Sequence, residues 1–206
     1  MKSAEKLDMI AVSNNSTAYF LLNRRARKRE KQNNHYDNAL THSGGFNYMD
    51  IKIREAVIND YESLCEIYVE LDEQHRLNHP ELFIKPEDYA RAKEYISEIL
   101  NDSNKALFVA DNDTKVVAFA ECFIQKSSEF PVIKKREWVQ LDGIAVKRDY
   151  QKYHIGSLLL RKVVEWAKSK EIKRIELKVY SFNKYADEFY SRKGFKDLSK
   201  AMYLDL

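Results

Sequence analysis

The chain has 206 residues but only five glycines, three prolines and two cysteines, where average usage would supply roughly fourteen glycines. This scarcity excludes collagen-like and low-complexity sequences, and it makes each glycine informative about the backbone around it. With 44% hydrophobic and 12% aromatic residues, the length suits one domain with an appendage and a sizeable core. Cys65 and Cys122 are far apart, with no CxxC and no neighbouring histidine pair. That argues against a disulfide framework or a zinc site, and for a reducing compartment. No run approaches eighteen apolar residues, and the first thirty lack the order of a secretory signal. The expectation is a cytoplasmic protein with no metal and no membrane partner.

Charge of one sign is also missing from most of the chain. Residues 1–50 hold eight Lys/Arg and five Asp/Glu of the totals of 35 and 32, so the formal +3 lies there and the remainder carries 27 of each sign. Attraction to nucleic acid would have to rest on the run from Arg24 to Lys31. That run is short and has no interleaved aromatics, so a solvated arm is preferred to a nucleic-acid contact.

The chain divides near residue 50. Residues 1–48 show no sustained period and are expected to be a poorly structured N-terminal extension. Ser43-Gly44-Gly45 can be encoded by a purine-rich ribosome-binding sequence just before Met49, where periodicity begins. The extension can therefore be read as upstream of the native start. Residues 49–206 form the domain proper.

Within it, Ile51 and Ile53 predict a first strand. Asn59 followed by Glu62 predicts a capped helix with Leu64, Ile67, Tyr68 and Leu71 on its face. Residues 72–85, which include His75 and His79, read as an irregular connection to a second helix starting at Pro86 and carrying Tyr89, Ala92, Ile96 and Ile99. Residues 106–110 and 116–124 read as a hairpin turning at Asp111-Asn112-Asp113. A strand over 138–146, a helix over 155–169, a strand over 174–180, a helix over 183–193 and a closing strand over 201–206 complete a βααβββαβαβ order. This is an α/β domain with a mixed sheet.

The segment from Ile144 to Leu160 takes an apolar strand through a short turn into an amphipathic helix, which presents free N–H groups suited to phosphate oxygens. Neither the P-loop nor the dinucleotide glycine fingerprint occurs. Gln151, His154 and Gly156 fall on the pattern Gln/Arg-x-x-Gly-x-Gly/Ala, with His154 in place of the middle glycine. Asn183, Ala186, Phe189, Tyr190, Gly194 and Phe195 match a second pattern, N-x-x-A-x-x-F-Y-x-x-x-G-F, at every specified position. Together the two segments resemble the signatures of the GCN5-related N-acetyltransferase (GNAT) superfamily, and the resemblance covers residues 51–206.

The resemblance implies a mixed, mostly antiparallel sheet flanked by helices, whose central parallel strands (138–146 and 174–180) splay apart. It implies that Ile144, Ala145 and Val146 present backbone groups to pantetheine, with a bulge at Gly143. It also implies that Gln151, Lys152, Tyr153, His154, Ile155, Gly156 and Ser157 hold the pyrophosphate of acetyl-CoA, His154 in a helical first-turn conformation. Asn183 would cap the last helix and bind the cofactor, and Tyr190 would face the cleft, bind the cofactor and act as general acid. Asp142 and Glu121 are candidates for the base and the acceptor contact, with Asp142 preferred as base. His75 and His79 lie in the connection that commonly lines the acceptor pocket. The activity implied is acetyl transfer to a primary amine of a small molecule or a protein, by a chain that forms dimers in many relatives. The alternative is a non-catalytic CoA-binding regulatory or interaction module.

Overall fold

A computed structural model describes residues 50–206; the expectations for the extension, its basic run and Ser43-Gly44-Gly45 lie outside the described residues. Five strands form one sheet in the order β1-β2-β3-β4-β5: β1 Lys52–Glu55, β2 Lys105–Asp111, β3 Val116–Lys126, β4 Glu137–Val146 and β5 Ile175–Glu176. The first four pair antiparallel, and β4 pairs β5 parallel. Helices α1 (Tyr61–Asn78) and α2 (Lys93–Asn101) cover one face, and α3 (Ile155–Ser169) covers the other, with α4 (Lys184–Arg192) beside it.

Two cores follow from strand alternation. Along β2, Phe108 and Ala110 face α3 while Leu107 and Val109 face α1 and α2. On the α3 side Phe108, Leu141, Leu159, Val163 and Phe189 are buried together. On the other, Leu64, Ile67, Tyr68, Leu71, Ile96 and Phe119 are. Each such side chain contributes about 1.5–3 kcal/mol relative to exposure.

The hairpin forms as expected. Asn112 Oδ1 accepts from Thr114 N–H and Lys115 N–H, and Asp113 takes a left-handed φ of 66°. Several expectations are corrected. α1 runs on to Asn78, so His75 lies on a helix rather than in a loop. Leu71 and His75 continue the buried face by one more turn, and the polar residues around them are the helix's wet side. A 3-10 turn over Ile58–Asp60 precedes α1, and Asp60, not Asn59, stands at its N-cap. There the Asp60 carboxylate accepts from Val57 N–H and from Arg54. α2 starts at Lys93 instead of Pro86, which leaves Tyr89 exposed. Residues 201–206 form no strand: β5 is two residues long and offers too little edge for a ladder.

Candidate active site

The site is created by a change of phase in β4. Across the β3–β4 ladder Glu121 pairs with Gly143 and Cys122 with Leu141, so Asp142 is an inserted residue and Asp142-Gly143 is a β-bulge. Before the bulge, Val139 N–H donates to the Arg174 carbonyl of the β5 arm. After it, Lys147 N–H donates to the Val117 carbonyl of β3, which makes Val146 and Ala118 a non-hydrogen-bonded pair. By the same alternation Ile144 and Val146 turn N–H and C=O away from β3, toward β5, while Ala145 is bonded to Phe119.

Among the described residues, no continuous ladder meets those outward groups. The β4–β5 pairing consists of Val139 with Ile175 and Gln140 with Glu176, and it ends there. Beyond Glu176 the expected 174–180 strand is interrupted, with Val179 an isolated bridge residue, and this splay leaves the edge of Ile144 and Val146 without a continuous partner ladder. Two details differ from the sequence reading. Ala145 has its backbone groups committed to β3, and the Val146 carbonyl accepts from Gln151 Nε2 at 3.0 Å. Ile144 and the Val146 N–H are the groups left to a ligand.

Gln151 is buried, and its turn leads into α3. His154 is the N-cap with φ 59° and ψ 10°, a left-handed conformation and not the helical one expected. This explains why the pattern it interrupts has glycine here: a Cβ is disfavoured at this φ. Lys152 also has positive φ, 76°. The first intrahelical bond runs from Leu158 N–H to the His154 carbonyl, so the N–H groups of Ile155, Gly156 and Ser157 have no partner within the helix. No acidic residue occupies the first turn of α3, and Tyr153 is exposed beside it.

α4 supplies two orphaned donors. Asn183 caps it, its Oδ1 accepting from Ala186 N–H at 3.0 Å, while its buried Nδ2 has no partner. Ala186 is fully buried, and Gly194 ends the helix at φ 89°. Tyr190 is only 2% exposed, between the rings of Phe189 and Phe195. Its hydroxyl is buried without a hydrogen-bond partner. The Tyr190 side chain, expected to face the cleft, is thus enclosed by protein. It stands among Ile144, Ile155 and Leu159 in the α3-side core, and burial holds its phenol protonated far above neutral pH.

Glu121 lies on the α1–α2 side, 4% exposed. Tyr68 Oη donates to its Oε2 at 2.6 Å, and Tyr95 Oη donates to its Oε1. Burial pushes its carboxyl above the usual glutamate range, while these hydrogen bonds and the charges of Arg91 and Lys105 act in the opposite sense. Asp142 is 1% exposed, and both carboxylates help raise the Cys122 thiol, after burial itself. The sequence reading missed Tyr68, Tyr95, Arg91 and Asp72 as site residues. They come together from positions 26 to 53 residues from Glu121, which no local pattern could signal.

His75 and His79 do not reach this group. They join Phe83, Tyr180 and Phe182 in an aromatic cluster with centroids 5.0–5.8 Å apart, closing α1 against the segment after β5. Among the described residues no helix is long and apolar enough to cross a membrane, and no group of three or more His, Cys, Asp or Glu is placed to hold a metal ion.

The fold recurs in known proteins. The chain is 29% identical over 145 residues to an uncharacterized N-acetyltransferase of Methanocaldococcus jannaschii, a match covering 70% of this chain and 60% of the relative's length. In structure it resembles a tetramutant of the BH1408 protein from Bacillus halodurans, with a TM-score of 0.70 and 23% identity over 75% of this chain and 99% of that one. Glucosamine-6-phosphate N-acetyltransferase from Arabidopsis thaliana is also similar, with a TM-score of 0.55 and 17% identity over 75% of this chain and 97% of that one. The sequence pattern of the acetyltransferase (GNAT) family matches residues 62–195, well over half of the chain. The splayed strands, the bulged β4 and the turn into α3 are thus those of a protein that belongs to the GNAT acetyltransferase family.

Proposed function

We propose that the protein is an acetyl-CoA-dependent N-acetyltransferase that acts in the cytoplasm on a primary amine of a small molecule or a protein. The observation that carries this reading is the buried, unpartnered hydroxyl of Tyr190. A donor withheld from water without an acceptor costs about 1–3 kcal/mol, and a thiolate arriving in the splay would satisfy it.

The chain's own groups then divide the work. Ile144 and the Val146 N–H hold the pantetheine amides, and the N–H groups over residues 152–157 hold the pyrophosphate at the start of α3. A backbone N–H of β4 polarises the thioester carbonyl. Asp142 removes a proton from the amine as its nitrogen bonds to the carbonyl carbon. As the carbon–sulfur bond breaks, Tyr190 gives its proton to the leaving thiolate. Glu121 contacts the acceptor's charge. The Arabidopsis neighbour acts on an amino sugar phosphate by its name, which supports an amine acceptor here.

The test is a panel of primary amines with free CoA release as readout, run beside Tyr190→Phe protein and with acetyl-CoA binding followed by calorimetry. Release that depends on Tyr190 is the expected result. Binding of acetyl-CoA with no release on any amine would instead favour a non-catalytic CoA-binding module, and absence of binding would overturn both readings.

A further inference from the structure

Glu121 is held by more than its own strand. Tyr68 of α1 and Tyr95 of α2 donate to its two oxygens. Arg91, in the segment before α2, stacks over the Tyr68 ring at 4.3 Å. The Arg91 guanidinium is itself bound in a fork by Asp72, Nη1 to Oδ2 at 2.7 Å and Nη2 to Oδ1 at 3.1 Å. The fork commits these guanidinium donors to Asp72, while the Arg91 charge still favours the ionised form of Glu121. The other charged group acting on Glu121 is Lys105 of β2, half-exposed and 4.0 Å from Asp102, and the Cys122 thiol beside Glu121 is influenced by Asp142 as well.

We propose that Tyr68 and Tyr95 are positioning residues that fix the Glu121 carboxylate as the anchor for the ammonium end of a cationic acceptor, with the Arg91–Asp72 pair bracing Tyr68. The proposal rests on the acetyltransferase reading and specifies its acceptor side. A carboxylate has about four lone-pair positions, and two phenols fill two of them, one on each oxygen. The group is thus locked against rotation yet retains acceptor capacity for a third donor. Gly143, directly across the ladder, contributes no side chain that could fill that role. The donors on Glu121 are two neutral phenols, so no cationic side chain is hydrogen-bonded to it in the place an ammonium group would take. A purely structural clamp between helices and sheet would be cheaper in apolar residues, because burying a charge costs more than it returns.

The experiment uses the full chain as wild type, Tyr68→Phe, Tyr95→Phe, the double variant and Glu121→Gln. With the best amine from the panel, each single tyrosine variant is expected to raise acceptor KM about tenfold and to raise it by more than kcat falls. The acid limb of kcat/KM should move about one pH unit upward as a hydrogen bond to the charged carboxylate is lost. Acetyl-CoA affinity should stay unchanged. A second arm needs no turnover: the Glu121 carboxyl carbon, assigned by its absence in Glu121→Gln, is followed by NMR while n-butylammonium is added. Its resonance should move in the wild type and move at higher concentration in the tyrosine variants. A wild type that binds acetyl-CoA but turns over nothing would count against the acetyltransferase reading, while the NMR arm still decides this proposal. An unmoved Glu121 resonance would overturn it, as would variants that lose thermal stability with acceptor KM and acid limb unchanged.

Discussion

The side-chain amide of Gln151 donates to the backbone carbonyl of Val146 at 3.0 Å, fastening the turn before α3 to the last residue of β4. Both partners are buried. The bond therefore couples the two surfaces proposed to grip acetyl-CoA, the strand edge and the helix N-terminus. Replacing Gln151 by Ala leaves the Val146 carbonyl without its donor, at a cost of about 1–3 kcal/mol. Calorimetry of Gln151→Ala is expected to show weaker acetyl-CoA binding together with a lower Tm. Binding equal to wild type would mean that the turn holds its shape unaided.

His154 tests the backbone strain at that turn. Its left-handed φ of 59° is open to glycine and unfavourable for a residue with a Cβ. His154→Gly is expected to raise stability by about 1 kcal/mol net of the added chain entropy, a Tm gain of about 2–4 °C for a domain of this size. His154→Val, with a branched Cβ, should lower it. Thermal melts of the two variants should therefore move in opposite directions.

For Tyr190, stability and activity should separate. A buried tyrosine that is hydrogen-bonded loses stability when cut back to phenylalanine, but the Tyr190 hydroxyl has no partner to lose. Tyr190→Phe is expected to melt at or above the wild-type temperature while turnover falls about a hundredfold, the range typical of a lost general acid. A clear drop in Tm would show that the hydroxyl is satisfied in solution.

His75 gives the fold an acid sensitivity of known sign. Burial pushes its imidazole down from 6.5 to about 3, with His79 and Arg91 adding to the effect and a hydrogen bond to the Leu71 carbonyl opposing it. Between those values the unfolded chain binds a proton that the folded chain excludes, so stability is full above about pH 6.5 and is lost as pH falls toward 3. From pH 6.5 to 5 the loss is about 2 kcal/mol. His75→Phe, which suits the surrounding rings of Phe83, Tyr180 and Phe182, should flatten the decline of Tm over this interval. Equal slopes in both proteins would place the sensitivity elsewhere.

Much of this molecule could be read locally. The helix over residues 155–169 was legible because its apolar positions repeat at helical spacing and its entry is marked by a turn. Asn183 and Gly194 marked the two ends of α4 because a cap and a left-handed stop each demand a particular residue type. The reading failed where the decisive contact is distant. His75 was taken for a loop residue because its neighbours are polar, yet Tyr180 and Phe182, more than a hundred positions later, bury it. The closing strand over 201–206 has strand-like alternation, but a strand needs an edge to pair with, and β5 ends after two residues.

By itself, then, the sequence determined the order of elements through β5 and α4, the family resemblance, and the placement of glycine at the bulge, the turn and the helix end. Those depend on backbone dihedrals and on periodicity within a few residues. Tertiary structure alone decided which edge of β4 stays open, that His154 adopts a left-handed conformation, that Tyr190 is buried with an unmet donor, and that two tyrosines converge on Glu121. Each of these is set by the register of a bulged strand or by burial between separate elements. Such effects arise only when residues tens of positions apart are brought within hydrogen-bonding distance and water is excluded.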